Sequence, residues 1–194
     1  MKRLCTSIPL LLLVQVAHAV TNDNPVVHMR PPFAATLRID ENVVYELVVT
    51  NETPFVLQNS AFVFPDDAFG VSVSNLADGT AAIRYEPDKN KSDVTFKLKQ
   101  HVSPGHPPIT ILTTQNKLDR NLRFQVFKAL HDRDMPVYSG EVNASPKIPV
   151  YTGIPGVVTS LTLFGFEFPN PPRTVEETKK ASGDIDAGAS NHQR

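Results

Sequence analysis

The chain has 194 residues, a formal net charge of −1, 17 prolines, no tryptophan and one cysteine. A near-neutral charge leaves no electrostatic footprint for nucleic acid or an anionic membrane surface, and the proline load argues against long helices. A single cysteine rules out an internal disulfide framework, so the fold must rest on an ordinary apolar core.

Residues 1–19 read as a secretory signal peptide: Lys2 and Arg3, an apolar run over 8–16, then the small residues Ala17 and Ala19 before Val20. The apolar run is too short to cross a bilayer core of about 30 Å as a helix, so cleavage is expected rather than retention as an anchor. Cys5 and His18 leave with the leader, and the mature chain belongs to a lumenal, periplasmic or extracellular space. Residues 20–34 follow as an N-terminal extended segment.

Residues 35–168 read as an all-β domain. The clearest strand covers 43–50, rich in β-branched and aromatic residues and closed by the turn signal Asn51-Glu52-Thr53-Pro54. A second run, 55–64, ends at Pro65-Asp66-Asp67. Further strands are predicted at 70–74, 81–85, 94–99, 109–114, 122–130, 137–142 and 157–168. Between them lie the turn signals Asp78-Gly79, Ser103-Pro104-Gly105 and His131-Asp132-Arg133-Asp134. The segment 93–100 alternates cleanly, with Val94, Phe96 and Leu98 on one face and polar residues on the other, as an antiparallel sheet with one wet face requires. Strands at this spacing predict an immunoglobulin-like antiparallel β-sandwich, although the cysteine and tryptophan core markers of that fold are missing.

Residues 148–166 carry no charge over 19 positions, the length of a membrane span. Pro149, Pro155, three glycines and several hydroxyl residues oppose a spanning helix and favour a closing strand. From 169 to 194 the chain turns proline-rich and then small and polar, and a disordered tail is expected because so little apolar surface cannot offset the entropy of ordering.

No catalytic pattern emerges. There is no Gly-x-Ser-x-Gly elbow, and the mature histidines His28, His101, His106, His131 and His192 form no helical pair. His101 and His106 flank a turn, and His131 adjoins Asp132 and Asp134, but solvated turn residues explain both groupings better than a metal does. Neither catalytic residues nor a metal or cofactor is assigned. Three sequons place candidate glycosylation sites at Asn51, Asn90 and Asn143. Phe164, Phe166 and Phe168 at the domain's end, like the run 55–64, are expected in the core, with an exposed apolar patch as the other reading.

In its order of features the chain resembles the lumenal domain of the translocon-associated protein alpha subunit family (signal sequence receptor alpha). The likeness lies in 43–51, in Ser60-Ala61-Phe62-Val63-Phe64-Pro65-Asp66-Asp67, in 71–75, in Leu130-His131-Asp132 with Val137-Tyr138, and in Val142-Asn143-Ala144-Ser145. Together these cover about a third of the mature chain. The resemblance implies a non-enzymatic endoplasmic-reticulum protein that assists translocation, with translocon subunits or nascent chains as partners. The family's acidic N-terminus is absent here, and 148–166 with Lys179-Lys180 is a poor counterpart of its membrane helix and basic tail. The alternative is a soluble secreted interaction or adhesion module whose edge strands or loops bind a protein or a glycan.

Overall fold

A computed structural model describes the backbone of Arg3–Cys5 and residues 26–76 and 79–169. The remainder of the expected leader, Asp78, and the expected tail from 170 onward lie outside the described residues.

In chain order the strands are β1 (Arg3–Cys5), β2 (Met29–Arg30), β3 (Phe33–Arg38), β4 (Val44–Val49), β5 (Thr53–Pro54), β6 (Val56–Leu57), β7 (Ser60–Val63), β8 (Ala68–Asn75), β9 (Ala81–Glu86), β10 (Val94–His101), β11 (Ile109–Asn116), β12 (Leu122–Leu130), β13 (Val137–Ala144), β14 (Pro149–Pro155) and β15 (Val158–Glu167). Ten of them build two antiparallel five-stranded sheets, ordered β14-β11-β10-β8-β9 and β13-β12-β15-β7-β6, packed as a sandwich, and the others form the small sheets β1-β4-β3 and β2-β5. The all-β sandwich expected from patterning is the fold.

Period-two alternation explains the packing. Val94, Phe96 and Leu98 of β10 are buried while Lys97 and Lys99 face solvent. Leu122, Phe124 and Val126 of β12 do the same from the opposite sheet. The Phe96 ring lies 5.7 Å from that of Phe124, edge to face, and 6.3 Å from that of Phe166, so aromatic contacts join the two layers.

A smaller apolar cluster lies under the β3–β4 hairpin, where Leu37, Tyr45 and Leu47 pack with Phe64 and Val157. Asp40 closes the hairpin by accepting the N–H groups of Asn42 and Val43. At the hairpin's flank, the Gln100 side-chain amide accepts from the N–H of Arg38 and donates to its C=O, both at 2.8 Å. It thereby stands in for a neighbouring strand.

The stretch 148–166, where the sequence favours a closing strand over a spanning helix, forms two strands, β14 and β15, in different sheets, joined at Gly156 with φ +100°. Among the described residues no helix is long and apolar enough to cross a membrane. The run 55–64 is not one strand, because Gln58 and Asn59 both take positive φ and fold it into the β6–β7 hairpin, with Leu57 opposite Ser60. Finally, the described part of the extended segment 20–34 belongs to the domain, since Met29–Arg30 pairs with Thr53–Pro54 and β3 begins at Phe33.

Candidate functional site

On the solvent side of β13, β12 and β15, three rings meet. Phe127 lies 5.5 Å from Tyr138, edge to face, and 5.2 Å from Phe164. Their placement follows from strand parity. Phe124 and Val126 turn to the core, so Phe127 turns outward, and the register shift at Val126/Phe127 skips Ser139 of β13, beside Gly140 with φ +132°, which brings Tyr138 opposite Phe127. Phe127 and Phe164 are half-buried, while Tyr138 is 53% exposed.

Ion pairs border this face. Arg123 bonds the carboxylate of Glu167 and lies 3.7 Å from that of Glu141. An apolar centre within a polar rim is the usual anatomy of a protein-binding surface.

The three phenylalanines therefore separate. Phe166 is core. Phe168 is half-buried beneath the Arg120 guanidinium, 3.3 Å from its ring centroid. Phe164 alone joins the outer patch. The 55–64 rings turn inward too: Phe55 stacks on Tyr85 at 4.4 Å, and Phe62 packs with the hairpin cluster.

The opposite sheet offers a shallow cleft of about 350 Å³ bordered by Lys89, Lys97, Lys117, Thr95, Asn90 and Gln115. Its cations are partly spent on the fold, since Lys117 donates to the C=O of Lys89 and to the Ser92 hydroxyl.

Sequence reading missed Arg30. Its guanidinium is buried, donates to both carboxylate oxygens of Asp67 at 3.1 and 2.6 Å and to the Thr53 hydroxyl at 3.0 Å, and lies 4.2 Å from the Phe55 ring centroid. Burial lowers the Arg30 pKa, outweighing the attraction of Asp67. Burial likewise raises that of Asp67, against its bonds from the Phe64 N–H and Arg30. This pair ties β2 to the turn after β7 and has no reacting group beside it.

The sequon asparagines Asn51, Asn90 and Asn143 are all exposed, but they are scattered over a bend, a turn and β13. Two of their hydroxyl partners are buried and bonded: Thr53 accepts from Arg30, and Ser92 donates to the C=O of Lys89. Any transfer to Asn51 or Asn90 must therefore precede folding.

The histidines are dispersed as well. His28 meets Tyr85, His101 bonds Ser103 and His131 meets Tyr45, and no group of three metal-ligating side chains occurs among the described residues. His192 lies outside them. No family model, no curated protein and no solved structure matches this chain.

Proposed function

We propose that the chain is a non-enzymatic β-sandwich protein of the secretory pathway that acts by binding another protein. The observation that carries this is the Phe127–Tyr138–Phe164 face, an aromatic cluster turned to solvent and flanked by the Arg123–Glu167–Glu141 ion pairs. Exposed aromatic clusters of this kind supply the buried anchors of protein interfaces.

Of the two forms this reading takes, a translocon-associated accessory subunit and a soluble secreted module, the second is favoured. Using 148–166 as an anchor would remove β15, which lies between β12 and β7, from the middle of its sheet.

A photo-crosslinking amino acid at position 138 tests the proposal, with position 151 as control. Tyr151 is 71% exposed on the other sheet, where it has no aromatic neighbour among the ring contacts of the described residues. A discrete adduct in the secretory lumen from 138 and none from 151 is the expected result. Equal labelling at both positions, or none at 138, overturns it. Alkaline carbonate extraction of the same sample separates the two forms: the secreted module is released, and the accessory subunit pellets with membranes.

A further inference from the structure

Several edges of the described sheets carry a recognisable closing device. Pro149 and Pro155 bracket β14. A bulge at Gly140 twists β13, and β6 has only two residues. On β9, the Asn59 side chain donates to the C=O of Ala81 and accepts from the N–H of Ile83, while Thr80 bridges to Glu167. On β3, Gln100 occupies both backbone groups of Arg38.

The outer edge of β4 has none of these protections. Its sequence, Val-Tyr-Glu-Leu-Val-Val, contains no proline, glycine or lysine, and Val48 is 39% exposed. Because the backbone of Arg38 points away from β4 to reach Gln100, the Arg38–Val44 pair is not hydrogen-bonded. By the alternation of antiparallel bonds, Val44, Glu46 and Val48 then turn their N–H and C=O groups to the free edge. In the full chain Arg3–Cys5 lies there as a parallel strand, Arg3 opposite Val44 and Cys5 opposite Glu46. Cleavage of the expected leader would vacate it.

We propose that the edge of β4 is a strand-acceptor site, at which the mature chain takes up an extended segment of a partner protein laid parallel to β4. The site rests on the protein-binding reading above and names a surface for it. The parallel direction favours a partner segment over a second copy, since two β4 strands related by a two-fold axis across their shared edge would run antiparallel. The segment should be apolar opposite Tyr45, whose face turns to the core, and free of acid opposite Glu46.

The test uses the secreted protein, its N-terminus read by mass spectrometry, and a synthetic peptide of residues 2–8 carrying Cys5→Ser as the probe. Without peptide, the amides of Val44 and Glu46 exchange rapidly, while those of Tyr45 and Leu47, bonded to β3, are protected. Saturating peptide should slow Val44 and Glu46 by about tenfold or more, and a scrambled peptide should not. Glu46→Pro removes an edge donor outside the β3 ladder and should abolish the effect. No slowing, slowing that tracks protein concentration without peptide, or a secreted chain that keeps residues 1–19 would each overturn the proposal. Crosslinking at 138 reads a different surface, so loss of the edge site alone leaves the wider reading standing.

Discussion

Arg30 is the side chain whose replacement should be felt most strongly. It is buried among Phe33, Phe55 and Phe64 and is bonded to Asp67, Thr53 and the C=O of Phe62. Arg30→Ala leaves Asp67 charged and buried without its partner, a loss of about 3–5 kcal/mol measured by urea unfolding. Arg30→Ala combined with Asp67→Ala should cost less than the sum of the single changes, because the pair shares one network. Acid adds a second signature. Burial raises the Asp67 carboxyl above its ordinary 3.8, so the folded state holds the proton more tightly than the unfolded chain. Its contribution to stability is thus fully present below 3.8 and lost as pH rises through the folded value. The stability of the natural protein minus that of Asp67→Asn should therefore fall across that window, and a rising difference would refute the assignment. Neither residue announced this role in sequence. Asp67 stands in a Pro-Asp-Asp turn signal and Arg30 beside two prolines, and their meeting depends on chain 37 residues apart.

Among the elements, the alternating strands were legible and the turns with unusual dihedrals were not. β10 and β12 carry their burial pattern openly, as Val94-Thr95-Phe96-Lys97-Leu98 illustrates. The β6–β7 hairpin was hidden because its turn is Gln58-Asn59, with no glycine to mark positive φ. β14 was not separated from the closing strand, although its prolines favour extended backbone and an edge position tolerates them. The aromatic face needed the β13 bulge at Ser139-Gly140, which no alternation count contains. Asn59 holds its left-handed conformation while both ends of its amide are bonded to the β9 edge. Asn59→Ala should therefore cost about 1–3 kcal/mol by unsatisfying Ile83 N–H and Ala81 C=O. Amide exchange should localise the effect to β9 and the β6–β7 turn; uniform acceleration through β12 would contradict the edge-closing role.

The described residues form two apolar clusters of unequal size, and 148–166 touches both. Ile154, Val158, Leu161, Leu163 and Phe166 enter the main core, while Val157 packs under the β3–β4 hairpin and its C=O accepts the N–H of His131. The length and lack of charge that suggested a bilayer span are thus those of a segment crossing between two dry layers, and hydropathy alone does not separate the two environments. Leu161, fully buried in central β15, should cost about 2–5 kcal/mol as Leu161→Ala and speed exchange throughout both five-stranded sheets. Leu37 belongs to the smaller cluster, whose hairpin joins the sandwich through Gln100, Phe64 and Val157. Leu37→Ala should therefore speed exchange in β3 and β4 well before it does so in β12, opening the hairpin as a unit of lower stability. Exchange that accelerates equally in β4 and β12 would mean that the hairpin and sandwich unfold as one. A β4 edge carried on a separately opening hairpin could adjust to an incoming strand without disturbing the main core, which couples this stability difference to the binding role proposed for that edge.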